Sequence, residues 1–182
     1  MMRRVAVSLV AVCVLAVALQ SLCAVAAVGD DPCAAFSWDV HHERELFAGQ
    51  PQTLPAGRTV AAAPALLPDR LYELELSAQP EVTFAAPPGK KWPTEASYAG
   101  LATLTLGTAG VYRIALDQAA WVDVVAKGTP LRSRDFQGRR GCSAPHKIVE
   151  FVLPAGTPLT IQFSGGVVPA LKVAVSRFPH RS

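Results

Sequence analysis

"LATLTLGTAGVYRIAL", Leu101–Leu116, is the stretch whose period decides the fold. Its first half sets Ala102, Leu104 and Leu106 against Leu101, Thr103 and Thr105, and its second half aligns Tyr112, Ile114 and Leu116. A period of two belongs to a strand with one face turned to a core, and Gly107 and Gly110 mark the joint between two such strands. Upstream, "LYELELS" begins the alternation at Leu71, with Tyr72, Leu74 and Leu76 opposite Glu73 and Glu75, and "EVTFA" pairs Val82 with Phe84. Downstream, "WVDVVA", "TPLRSRDF", "KIVEFVL", "PLTIQFS" and "LKVAVSRF" continue it, punctuated by Gly128, Gly138, Gly141, Pro154, Gly156, Gly165 and Gly166. About nine short strands without intervening helices predict an all-β fold. The expected form is an antiparallel, jelly-roll-like β-sandwich over residues 71–182.

Ahead of the strands stands a single helical segment, "WDVHHERELF", Trp38–Phe47. Ser37 is the expected N-cap, Asp39 suits the first turn, and Gly49 follows the last helical position. Phe36, Val40 and Phe47 share one side, which leaves His41, His42, Glu43, Arg44 and Glu45 mostly to solvent. Residues 49–70 hold four prolines and read as an irregular connector. Helix and connector together form an N-terminal region, 27–70.

The first residues carry a different message. Arg3 and Arg4 precede an apolar run from Val5 to Ala27, which ends in Ala24-Val25-Ala26 before the polar "GDDPC". That order is the pattern of a secretory signal peptide, residues 1–26, rather than of an anchor. The bulky Val12 and Leu22 before Cys13 and Cys23 do not fit a lipoprotein signal. Cleavage would remove two arginines and lower the formal charge from +3 to +1, so the basicity makes no case for nucleic-acid binding. The remaining chain of about 155 residues is one domain by size. Only Cys33 and Cys142 stay in it, and in an oxidising compartment they are expected to form one disulfide. The expected location is periplasmic or secreted, with membrane contact only through the signal segment before cleavage.

The catalytic patterns tested are weak. A non-haem iron site needs two histidines and a carboxylate converging on one metal. Adjacent His41 and His42 diverge on a helix by about 100° and point to opposite faces on a strand. His146 and Glu150 would lie about 13 Å apart along a strand and read as an exposed face. No Gly-x-Ser-x-Gly occurs, and "PPGKKW" lacks the glycine and hydroxyl residue of a phosphate loop. No catalytic residue, metal ligand or cofactor is assigned. Two binding candidates remain. Trp121 and Asp123 share a strand face, an arrangement suited to a sugar ring or a cation unless Trp121 is core. Asp135, Gln137, Arg139, Arg140 and His146 concentrate in a polar loop that Cys142 would pin, and rigidly held loops often bind.

"CAAFSWDV", "YAGLATLTLGTAGVYRIALDQAAWVDVV" and "DFQGRRGCSAPHKIVEFVLPAG" resemble a family of small exported bacterial β-sandwich proteins of unknown function. Some of its members are labelled homogentisate 1,2-dioxygenase. The resemblance covers most of the chain after the signal and implies a sandwich fold and export. True homogentisate dioxygenases resemble cupins, whose iron is held through His-x-His. That motif is absent here, so the resemblance transfers no ligand. "GVYRIALD" and "FVLPAGTPLTIQFSGG" are also similar in pattern to sandwich modules appended to secreted enzymes. The expected function is a noncatalytic envelope domain that binds a ligand or protein. The competing reading, a metal-dependent dioxygenase, would need His41 or His42, His146 and one of Glu43, Glu45 or Glu150 to converge, with His180 as a further histidine.

Overall fold

The computed structural model describes residues 31–178 apart from 92, 94 and 95. The expected signal segment with Cys13 and Cys23, residues 27–30, and His180 lie outside the described residues.

The alternating segments form strands that make two packed sheets, an all-β sandwich. In chain order these are β1 (Gln52–Pro55), β2 (Ala65–Leu66), β3 (Leu71–Glu75), β4 (Ser77–Ala78), β5 (Tyr98–Leu104) and β6 (Gly110–Leu116). There follow β7 (Trp121–Ala126), β8 (Thr129–Leu131), β9 (Ser133–Gly138), β10 (Lys147–Leu153), β11 (Leu159–Gly166) and β12 (Ala170–Arg177). One sheet runs β1-β3-β12-β6-β10-β9 and the other β2-β5-β11-β7-β8, with β4 on β5. Taking β3, β5, β6, β7, β8, β10, β11 and β12 as eight successive strands, one sheet holds the first, eighth, third and sixth. The other holds the second, seventh, fourth and fifth, which is jelly-roll connectivity.

Three features differ from the expectation. First, β1 and β2 come from the Pro-rich connector and pair in parallel with β3 and β5, so both sheets are mixed. A parallel pair needs a crossover, and residues 56–70 supply it by passing through the second sheet at β2. Second, "EVTFA" is not a strand. Pro80 starts a 3-10 turn at Gln79–Glu81, and Val82 and Phe84 instead pack on Ala99 and Leu101 from outside the sheet. Third, the α-helix, α1 (His41–Ala48), begins four residues beyond Ser37, with Val40 at its N-cap and the Asp39 carboxylate accepting from the His41 N–H at 3.1 Å. Ser37 is held elsewhere, by two hydrogen bonds with the Gln137 side chain.

The core lies between the sheets and includes Leu74, Ile114, Leu116, Phe151, Leu153 and Val173 from one, and Leu104, Val124, Leu159, Ile161 and Phe163 from the other. The outer face of the β6/β10 sheet is also covered. Phe36 and Val40 pack there on Ala115, Cys142 and Ile148, with Cys33, Trp38 and Phe47 at the margin. A disulfide between Cys33 and Cys142, Cα atoms 5.0 Å apart, fastens this N-terminal layer to the β9–β10 loop. Gly141 precedes the bridge with φ +83°, a left-handed value that glycine adopts freely. Lys127 and Gly128, φ 49° and 78°, form the two-residue turn joining β7 to β8.

Glu43 and Glu150, both read as solvent-facing, are buried. α1 lies against β12, so its Glu43 side turns inward, and Glu150 projects from β10 into the same covered layer.

Candidate functional site

Two polar arrangements emerge from this framework. The first centres on Arg113, which the sequence reading passed over because it sits on the far side of β6 from Tyr112 and Ile114. Its cross-strand partners are Glu150 on β10 and Ser176 on β12. Arg113 as a whole is 3 % exposed. It donates to Glu150 at 3.0 Å and to the Asp39 carbonyl at 2.7 Å, and lies 3.5 Å from the Glu43 carboxylate. Ser176 donates to Glu43 at 2.7 Å. The rings of Trp38 and Phe178 flank the guanidinium at 4.9 and 4.1 Å. Donors and acceptors satisfy one another here, and the group joins α1 to the sheet. A charged residue in the middle of "VYRIAL", where an outer face would normally be bland, was the only sequence signal.

The second arrangement lies where β7, β9 and β10 meet. Val122 and Val124 enter the core, so Trp121 and Asp123 take the other face of β7. The Trp121 indole N–H donates to Asp123 at 2.9 Å, and the second Asp123 oxygen accepts from the Gly89 N–H and from Gln162. The carboxylate is thereby used internally. Lys147, on the same side of β10 as the core residues Val149 and Phe151, donates to the Ala120 carbonyl at 2.9 Å and lies 5.2 Å from the Trp121 ring centroid. Burial, with Lys90 nearby, lowers the Lys147 pKa below its ordinary value, while Asp123 acts in the opposite direction. Trp121, Val122, Ser133, Phe136, Lys147 and Val149 line a cleft of about 50 Å³. Phe136 at its rim is 65 % exposed.

The loop candidates separate on inspection. Gln137 holds Ser37, while Arg139 donates to the Ala35 carbonyl and lies 5.4 Å from the Phe36 ring centroid. The His146 ring meets the Cys142 carbonyl at 3.1 Å. These three secure the N-terminal layer and the disulfide loop. Asp135 accepts from the Phe136 N–H at 2.8 Å, and Arg140 is exposed. What remains open is β9 itself, the last strand of its sheet, exposed at every position except Gln137.

The residues of the dioxygenase reading do not come together. His41 faces Glu45 at 3.6 Å, His42 meets Asp69 at 2.8 Å, and Glu43 and Glu150 are engaged by Arg113. Among the described residues no three His, Cys, Asp or Glu side chains form a metal-binding group. A broader concavity of about 450 Å³ lies against Cys33, Phe36, Trp38, His41 and Arg44. Its Arg44 is already paired with Asp31 at 2.9 Å, and a backbone bond from Cys33 together with Arg44 holds the Asp31 carboxyl below its ordinary pKa.

No protein-family model matches the chain, and no curated protein matches it at a significant level. The open elements of the chain are an arginine-bearing strand edge and a small cleft holding a lysine.

Proposed function

We propose that this protein is a noncatalytic domain of the cell envelope, periplasmic or secreted, that binds an acidic, extended protein segment along the edge of β9. The observation that carries this reading is the edge itself. Residues 132–140 hold Arg132, Arg134, Arg139 and Arg140 against Asp135 alone, and the aromatic Phe136 stands out among them. Charges on a sheet edge commonly serve only to prevent unwanted pairing. A predominantly positive edge with an exposed aromatic does more. It repels a second copy of itself and attracts an acidic strand, to which the backbone offers hydrogen bonds and Phe136 an apolar contact.

Export is supported by the disulfide, which is consistent with an oxidising location outside the cytoplasm, and by the secretory pattern of residues 1–26. No helix among the described residues is long and apolar enough to cross a membrane.

The test is calorimetry with short peptides that alternate acidic and β-branched residues, beside versions with glutamine in place of each acid. The acidic peptides should bind about tenfold tighter or more and weaken with salt. Arg134→Glu with Arg140→Glu should abolish binding, and β9 amides should gain hydrogen-exchange protection in the complex. Binding indifferent to peptide charge, or unchanged in the double variant, would sink the proposal.

A further inference from the structure

We propose that the cleft between β7, β9 and β10 is a carboxylate-binding pocket, in which Lys147 holds the anion and Trp121, Val122, Phe136 and Val149 receive the first atoms of the apolar body attached to it. The inference does not depend on strand pairing at β9, because it draws on the side chains that line the cleft and not on the free backbone of that strand, with Phe136 shared between the two.

An ammonium has three donors. Among the described residues the hydrogen bond of Lys147 goes to the Ala120 carbonyl, which is neutral. The neighbouring carboxylate, Asp123, is occupied by the Trp121 indole, the Gly89 N–H and Gln162. Those donors are neutral, so Asp123 keeps its charge and favours the ammonium from a distance. The ammonium itself sits partly desolvated against an indole ring and two valines, with Lys90 adding like charge. A cation in such surroundings gains more from an incoming anion than one in open water, because the local dielectric is lower.

Size and shape narrow the ligand. The cleft holds about 50 Å³, and a water needs about 10–15 Å³ of such space, so there is room for a few non-hydrogen atoms, a carboxylate with a short apolar stem, and not for the whole of a sugar ring. A cation is disfavoured because the Lys147 ammonium already occupies the aromatic face that would receive it. The exposed Phe136 ring continues the apolar wall outward, where an aryl or branched alkyl group would rest. The ligand chemistry is thus a carboxylate on an apolar body, supplied either by a free small acid or by an acidic residue or C-terminus of a protein.

The experiment follows the Lys147 side chain by lysine-selective carbon-13 NMR of the oxidised protein. The probes are 3-phenylpropionate, a peptide with an internal glutamate, and a peptide whose only carboxylate is its C-terminus, each beside its amide counterpart. At least one acid should shift the Lys147 signal saturably while its amide does not. Lys147→Met should weaken that acid at least tenfold, with an unchanged circular dichroism spectrum confirming the fold. Lys147→Arg, which keeps the charge, should retain measurable binding. Arg134→Glu with Arg140→Glu, which disables the β9 edge, should leave the free-acid response in place. A response to phenylpropionate alone assigns a small-molecule ligand, and one to a peptide alone assigns a protein partner. Silence from all three acids, equal shifts by acid and amide, or unaltered binding in Lys147→Met would overturn the proposal.

Discussion

At Arg113 a guanidinium meets two carboxylates and two aromatic rings almost out of reach of solvent. Removing only the cation strands Glu43 and Glu150 in the interior, so Arg113→Met should lower stability by about 3–5 kcal/mol. Replacing Arg113, Glu43 and Glu150 together with apolar residues of similar volume should restore most of that loss, since no uncompensated charge is left behind. Urea unfolding of the two variants measures both. A second residue sets a pH response. Burial raises the Asp117 pKa above its ordinary 3.8, against the opposing pull of the Lys172 N–H. Through the interval above 3.8 the folded protein holds a proton that the unfolded chain has lost, so Asp117 makes stability fall as pH rises there. Asp117→Asn keeps an oxygen for the Lys172 N–H, bonded at 3.0 Å in the structure, and removes the titration. Its stability relative to the unaltered protein should improve as pH is raised through that interval, as denaturation midpoints at several pH values would show.

At the scale of elements, α1 and the turn before it hold to the sandwich through Cys33, Phe36, Val40 and the Glu43–Arg113 contact. The bridge spans a sequence separation of 109. Its loss in Cys33→Ser with Cys142→Ser should cost about 2–5 kcal/mol and leave the sandwich folded. Hydrogen exchange should then quicken first in α1, because its other ties are a few apolar contacts, the buried contacts of Glu43 with Arg113 and Ser176, and the exposed His42–Asp69 pair. Intact mass of the unaltered protein should fall two hydrogens below the reduced value, and two thiols that alkylate without reductant would refute the bridge. The strands of this element set were legible because alternation survives in any strand with one face in a core. "EVTFA" misled because five alternating residues beside Pro80 fit a surface loop with two anchors as well as a strand. Ser37 misled because its hydroxyl had a competing partner, Gln137, a hundred residues away in sequence.

For the molecule as a whole, the jelly roll sets stability and folding through contacts between distant segments. β3 pairs with β12, joining Leu71 to Ala174, and β11 lies between β5 and β7. Phe163 stands fully buried at the centre of β11, and Phe163→Ala should cost about 3–5 kcal/mol by chemical denaturation, because a tightly packed core refills little of the space. The sequence by itself determined the strand class, the pair of cysteines able to bridge and the residues able to face a core. These follow from a two-residue period and a cysteine count, both properties of neighbouring positions or of composition. Only the tertiary structure decided that the outer faces of the sheets are covered too, so that Glu43, Arg113 and Glu150 meet out of water. It also decided that Gln137, Arg139 and His146 serve the N-terminal layer, while Lys147, which no motif marks, reaches Trp121. The physical reason is the same in each case. A strand's alternation states that it has two faces, and what lies against each face depends on where the rest of the chain returns.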